Sequence, residues 1–306
     1  MKKSEIRRQY IFNKYAIISP KRDSRPRDVK TQVVLDKNPN CPFCLKNIDK
    51  TNIKQRFILE NNDHIFTLGN VFPAITLNNS KAYGQQEVII ETLKHGEILA
   101  DLPEKQIKSL LKTYINRSLE ISKNKKIKYI LCFKNQGVKA GASLAHAHSQ
   151  VFATDFLPPE IVEEKNIIKK YQKTHKNCPY CDILKKEIKS SRKIAADKLF
   201  GAFTPYASQY HYEAWILPFR HVDNISLLTE AEIDSLAKIL KNILLKLKNL
   251  NLSYNFFIHN DKTNNHQHFY IKIQPRDSTW AGVELGSGLV INSVPPEDAA
   301  KYYRQK

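Results

Sequence analysis

No long apolar run occurs in the 306 residues. None of its hydrophobic stretches approaches the roughly 20 residues that cross a bilayer as a helix, so a helical membrane span is excluded. The basic start, Met1-Lys-Lys-Ser-Glu, has no apolar stretch behind it and does not read as a secretory signal. A cytoplasmic protein without a membrane partner is expected. Cysteine is scarce: five residues are a poor disulfide scaffold in a chain of this size and expected compartment. Acidic residues are also short, 30 against 49 basic, which leaves a formal charge of +19. That field suits nucleic acid, an anionic surface or phosphorylated metabolites. The surplus is spread over Lys2, Lys3, Arg7 and Arg8, over residues 123–128 and over residues 165–176. Spread charge of this kind reads as solvated surface and selects no partner. With 14 Phe, 14 Tyr and a 42% hydrophobic content, the chain has material for one large core or two smaller ones.

Read in order, the chain gives strand-like runs at Tyr10-Ile-Phe, Tyr15-Ala-Ile-Ile, Arg56-Phe-Ile-Leu, His64-Ile-Phe-Thr-Leu and Gln86-Glu-Val-Ile-Ile. Over residues 101–122 the apolar period changes from two to about 3.6, which predicts an amphipathic helix. Lys128-Tyr-Ile-Leu-Cys-Phe133 then predicts a strand. A basic helix is expected over residues 158–176 and a short one over Ile183–Lys189. Strands are expected at Leu199–Phe203, His211–Leu217, Tyr254–His259 and His268–Ile273, with a strong helix over residues 230–248. Sheets interleaved with helices in this way indicate an α+β fold. CxxC, strands, histidine, amphipathic helix and histidine-bearing strand occur twice in the same order. That repeat predicts two related halves, residues 1–157 and 158–306.

The stretch that organises the rest is Asn135-Gln-Gly-Val-Lys-Ala-Gly-Ala-Ser-Leu-Ala-His-Ala-His-Ser-Gln150, a glycine-bearing approach to three polar residues at alternate positions. On a strand, His146, His148 and Gln150 would share one face. Cys41-Pro-Phe-Cys44 lies in a turn-rich setting, and His95 and His146 on separate strands would complete a Cys2His2 set for zinc. Cys178 and Cys181 of the second CxxC are expected to join His221 and His268, with His266 and His211 competing. Four protein ligands leave no open position for water, so structural metals are expected. His148, alternate to a ligand and followed at the same parity by Gln150, is the candidate nucleophile: an imidazole attacks phosphorus when its other nitrogen holds the proton. Gln150, the loop glycines and Ser143 can supply donors to phosphate oxygens. A further metal ligand or a satisfied core histidine is the alternative for His148. Arg22 and Arg25, between Pro20 and Pro26, can meet an anion or remain ordinary surface residues.

Asn135-Gln-Gly, Gly141-Ala-Ser143, His146-Ala-His-Ser-Gln150, both CxxC elements, Tyr254–His259, Glu284-Leu-Gly-Ser-Gly and Pro296-Glu-Asp298 resemble the galactose-1-phosphate uridylyltransferase family of the histidine-triad superfamily, over nearly the whole chain. The resemblance is strongest to the ADP-glucose phosphorylase branch. It implies two histidine-triad-like halves, each an antiparallel sheet with helices. It implies His148 as the nucleophile that receives a nucleoside monophosphate, with Gln150 on the transferred phosphate. Asn135, Gly141 and Ser143 would surround the diphosphate, with Arg25 approaching it, Asn70 and Phe72 at the nucleotide and Glu284 at the hexose. It further implies two bound zinc ions, the second site admitting iron, and a homodimer. Ala147 departs from the proline of many uridylyltransferases, and Tyr270 stands where a second HxQ would place glutamine.

The expected activity is nucleotidyl transfer from a nucleotide sugar to a sugar 1-phosphate. UDP-glucose–hexose-1-phosphate uridylyltransferase ranks first and ADP-glucose phosphorylase, with phosphate as acceptor, second. A zinc-supported nucleic-acid-binding protein ranks last, because basic and aromatic residues do not interleave as a single-strand platform requires.

Overall fold

The computed structural model describes residues 3–20, 40–59, 63–260 and 267–305. Its strands are β1 (Glu5–Arg8), β2 (Tyr15–Ile18), β3 (Ile53–Ile58), β4 (His64–Gly69), β5 (Gly84–Ile90), β6 (Tyr129–Gln136) and β7 (His148–Thr154), then β8 (Lys193–Ala196), β9 (Phe200–Phe203), β10 (Ala214–Pro218), β11 (Tyr254–His259), β12 (Tyr270–Pro275) and β13 (Val290–Asn292). The helices are α1 (Glu104–Ser122), α2 (Pro159–His175), α3 (Pro179–Glu187), α4 (Glu230–Asn249), α5 (Gly282–Ser287) and α6 (Pro296–Tyr303). The fold is α+β, as the alternating periods predict.

Among the described residues, ten strands form one antiparallel sheet in the order β3-β4-β5-β7-β6-β11-β12-β10-β9-β8. At its centre β6 pairs with β11, with Phe133 opposite Phe257. Five strands lie on each side of that seam, and α1 packs beside α4. Lys108 of α1 reaches Asp234 of α4 at 2.6 Å and Lys112 reaches Glu230 at 2.9 Å. Beneath these surface pairs, Leu110, Leu111 and Tyr114 of α1 and Leu240 and Leu244 of α4 meet Ile130, Val151, Phe256 and Ile271 of the sheet in one core. Each fully buried aliphatic side chain there contributes about 1.5–3 kcal/mol. The stronger periodicity of α4 is matched by a capping box: Thr229 Oγ1 accepts from Glu232 N at 3.3 Å, and the Glu232 carboxylate accepts from Thr229 N at 2.8 Å.

Several elements differ from the sequence reading. Pro179 opens α3, so the helix starts four residues earlier than Ile183, with Cys178 as its N-cap. Proline fits the first helical turn because its missing N–H is one the helix cannot use. The strand expected from His211 begins only at Ala214, since His211 and Tyr212 lie in a turn where Tyr212 has φ 57°. The N-terminal segment also sits with the far end of the chain: β2 pairs in parallel with β13, Arg7 binds Glu297 at 2.9 Å, and Tyr10 packs edge-on against Trp215. Among the described residues, no helix is long and apolar enough to cross a membrane.

Candidate active site

β7 lies between β5 and β6, and its first residue is His148. The strand does not extend back to His146, so the alternation argument applies to His148 and Gln150 only. His146 sits in the irregular lead-in, and His95 follows β5 in a turn completed by Gly96 at φ 90°. Neither is on a strand, contrary to expectation. A loop can aim an imidazole off the face that the pleat dictates, and here both rings turn toward the first CxxC.

Cys41, Cys44, His95 and His146 bring one ligand atom each within 4.8 Å of one another. Cys44 Sγ lies 3.5 Å from His95 Nδ1 and 3.7 Å from His146 Nδ1, and Cys41 Sγ lies 3.8 Å from His146 Nδ1. A tetrahedron with ordinary Zn–S and Zn–N bonds separates sulfur from nitrogen by about 3.6 Å, so the spacing fits such an ion. His146 Nε2–H donates to the Thr92 carbonyl at 2.8 Å, which leaves Nδ1 for the thiolates.

The second set is less complete. Cys178, Cys181 and His221 cluster, with Cys181 Sγ 3.5 Å from His221 Nδ1. A hydrogen bond from Cys181 holds the Cys178 thiol low, and the same contact pushes Cys181 up. His268 stands beside this cluster rather than within it. Its Nδ1 bonds the Phe269 carbonyl at 2.8 Å, and its Nε2 is buried without a partner among the described residues. The ring stands edge-on to His221 with centroids 5.2 Å apart, close to the 5.3 Å of His95 and His146. The competing His211 is occupied elsewhere, 2.7 Å from Asp277 and 3.1 Å from Ser293 Oγ. His266 and Arg25 lie outside the described residues.

His268 thus takes the place of His146, and Tyr270 stands at the head of β12 as His148 does at the head of β7. The departure in the second half is therefore tyrosine for the candidate nucleophile rather than for glutamine. Phe43 and Tyr180, the third residues of the two CxxC elements, pack against His148 and Tyr270 respectively, each with centroids 5.1 Å apart.

The His148 side chain is almost buried. Nδ1 lies 2.8 Å from the His146 carbonyl, a contact that fixes the proton on Nδ1 and leaves the Nε2 lone pair free. Burial, and then the charge of Lys134, lower its pKa from 6.5 to about 4. Lys134 is itself buried against Glu91 at 2.7 Å, and burial lowers its own pKa. Sequence reading missed Lys134 and Glu91 because each is one polar residue at the end of an apolar run; the only signal was a charge where the alternation calls for a core residue.

Gln150 follows on the same face, and Gln86 of β5 ties it to the turn at Asn70. Gln86 Nε2 lies 3.4 Å from Gln150 Oε1, Gln86 O accepts from Asn70 N at 3.0 Å, and Gln86 Oε1 accepts from Ala74 N at 3.0 Å. Asn70 Oδ1 in turn accepts from Phe72 N at 2.8 Å, leaving the Phe72 ring 91% exposed. Asn255 of β11 donates to Asn135 Oδ1 and to the Ala140 carbonyl, both at 2.8 Å, and so fixes the loop that carries Gly141 and exposed Ser143. Gly141 has φ 82°, and a Cβ at Gly137 (φ 83°) would collide with Ser253; the loop's bend requires glycine at both. Glu284 is engaged in capping α5, its carboxylate accepting from Ala281 N at 3.0 Å.

Comparison with known proteins agrees with this geometry. Residues 2–158 match the model of the galactose-1-phosphate uridyl transferase N-terminal domain. ADP-glucose phosphorylase of Arabidopsis thaliana is 31% identical over 98% of this chain and 92% of its own. Galactose-1-phosphate uridylyltransferase of Thermotoga maritima is 27% identical over 98% of each. The crystal structure of an ADP-glucose phosphorylase from Arabidopsis thaliana with bound ADP-glucose superposes with a TM-score of 0.85 at 29% identity, covering 99% of both chains. The protein is therefore a member of the galactose-1-phosphate uridylyltransferase family in the histidine-triad superfamily, a nucleotidyltransferase-type enzyme of its ADP-glucose phosphorylase-like branch.

Proposed function

We propose that the protein transfers a nucleoside monophosphate from a nucleotide sugar by way of a covalent intermediate on His148. The observation that carries this reading is the His148 Nδ1 contact to the His146 carbonyl, which presents Nε2 as a neutral base at physiological pH. The Nε2 lone pair attacks the α-phosphorus. As the N–P bond forms, the bond from phosphorus to the sugar 1-phosphate breaks and the departing oxygen takes its electron pair. An oxygen of the acceptor then attacks the same phosphorus, and the N–P electrons return to Nε2.

In this reading Gln150 donates to a non-bridging oxygen of the moving phosphate. Asn135, Gly141 and Ser143 would line the diphosphate, Asn70 and Phe72 the nucleoside, and Glu284 the hexose, with Arg25 assigned to the phosphates by the family resemblance alone. Cys41, Cys44, His95 and His146 would hold a zinc ion, and Cys178, Cys181 and His221 with His268 a second zinc or an iron. The ions supply cross-linking of the loops that lead into β7 and β12. The mirrored strand order supports two copies of one unit, divided near residue 157, with β1 and β2 docking on the second copy. A homodimer belongs to the same reading.

As a family label uridylyltransferase chemistry ranks first on the sequence, although its local motifs resemble the phosphorylase branch more. The Arabidopsis relative, by identity and by TM-score, supports ADP-glucose phosphorylase chemistry more strongly, and we favour ADP-glucose with phosphate as acceptor. Parallel assays of ADP-glucose plus phosphate and UDP-glucose plus galactose 1-phosphate test the choice. Turnover of the second pair alone would overturn it, and turnover of neither would overturn the enzyme reading.

A further inference from the structure

We propose that Lys134, held by Glu91, is a positioning residue that fixes the backbone around His148 so that the imidazole presents Nε2 to the substrate. The inference deepens the reading of His148 as nucleophile and rests on it.

Three consecutive carbonyls lead through the candidate nucleophile, and each has its own donor. The His146 carbonyl accepts from His148 Nδ1 at 2.8 Å, that of Ala147 from the Glu91 backbone N–H at 3.1 Å, and that of His148 from Lys134 Nζ at 2.9 Å. The β6–β7 ladder ends at the pair Phe133–Gln150. Lys134, the next residue of β6, supplies from its side chain a donor where the backbone ladder has stopped. Glu91 serves two of the three carbonyls, one through its own N–H and one through the carboxylate that holds Lys134 at 2.7 Å. Its own carbonyl accepts from Gln106 Nε2 of α1 at 2.8 Å, which anchors the assembly to the helix layer. With these bonds intact the peptide planes from His146 to His148 cannot turn, and the first plane is the one that keeps the imidazole proton on Nδ1.

The pair is a costly way to fill space. The side chains of Lys134 and Glu91 are 1% and 0% exposed, and Glu91 Oε1 is buried without a hydrogen-bond partner among the described residues. Removing two charges from water is seldom fully offset by their attraction, and apolar residues of similar volume commonly stabilise a core as well or better. What a methyl group cannot do is donate to the His148 carbonyl. The geometry therefore assigns the ammonium a positional task.

The test uses the full chain with Lys134→Met, the double variant Lys134→Met/Glu91→Met, which leaves no buried unpaired charge and so folds if the single variant does not, and Lys134→Arg, which keeps a donor. Imidazole ¹⁵N NMR, with His148 assigned by its absence in His148→Gln, reads the tautomer without any substrate. Wild type is expected to show His148 as the Nδ1–H tautomer, the double variant a mixture, and Lys134→Arg the wild-type state. With ADP-glucose or UDP-glucose and no acceptor, the burst of protein labelling in the double variant is expected to slow ~100-fold, as for a reacting group misplaced by an ångström. The concentration dependence of the burst should keep its midpoint within about twofold. A folded double variant with an unchanged tautomer and a burst within about threefold of wild type would overturn the proposal. If neither nucleotide sugar labels wild type, the functional reading fails; the tautomer comparison then decides the positional claim alone, an unchanged tautomer refuting it and a mixture supporting it.

Discussion

If His148 is the nucleophile, lowering the pH should leave its attack nearly untouched well below the range in which histidines usually protonate. Burial comes first and the neighbouring Lys134 charge second in lowering its pKa from 6.5 to about 4. The sign follows from which form reacts. Only the neutral ring has a lone pair at Nε2, so a lowered pKa extends the reactive form toward acid, and reactivity is lost only as the pH falls through 4. At pH 5 an imidazole with a pKa of 4 is still about nine-tenths neutral, whereas one at 6.5 is only about 3% neutral. The labelling burst should therefore fall by about a tenth between pH 8 and pH 5, against a fall of about 30-fold for an unperturbed ring. A cation on the adjacent His146 acts in the same direction, because added positive charge disfavours the imidazolium. The diphosphate of a nucleotide sugar does not ionise in this window. Rapid-quench intact-mass measurements from pH 4 to 8, with circular dichroism as the folding control, supply the profile. A burst rate that halves near pH 6.5 while the protein stays folded would refute the argument.

Three further outcomes are expected. His148→Ala should abolish the nucleotide adduct, while Gln150→Ala should still form it with a burst ~100-fold slower, the usual cost of losing one donor to a developing oxyanion; an adduct in His148→Ala would place the nucleophile elsewhere. Cys41→Ser should lose one bound metal by elemental analysis together with the burst, and Cys178→Ser should lose the other metal while labelling within about threefold of wild type; a normal burst in metal-free Cys41→Ser would separate the first cluster from the site. Arg117 of α1 makes a two-pronged pair with buried Glu87 of β5, at 2.7 and 2.8 Å. In urea titrations Arg117→Met should cost about 3–5 kcal/mol by stranding that carboxylate, and Arg117→Met/Glu87→Met should recover most of it; a loss under about 1 kcal/mol in the single variant would contradict the burial argument.

How much of this was legible in the sequence depended on whether the signal was local. The period of α4 set its span to within a residue, and the apolar run Tyr254–His259 coincides with β11, because amphipathic periodicity is written along the chain. The two CxxC elements and the His-x-His-x-Gln run were visible as chemistry for the same reason. Assigning the second metal set was harder, since His211 and His266 compete with His268 and only packing separates His211, bound to Asp277 and Ser293, from His268, set against His221.

The sequence by itself determined the spans of α1, α2 and α4 and the central strands, and it named the candidates for the first ligand set and for the reactive imidazole. Only the tertiary structure decided that His95 and His146 reach the cysteines from loops, that Tyr270 is the counterpart of His148 rather than of Gln150, that β1 and β2 join β13, and that Lys134 and Glu91 stand behind the candidate nucleophile. The physical reason is range. Helix and strand periods arise from neighbours along the chain, whereas a buried ion pair between β6 and the end of β5 forms only after strands far apart in sequence have been brought side by side.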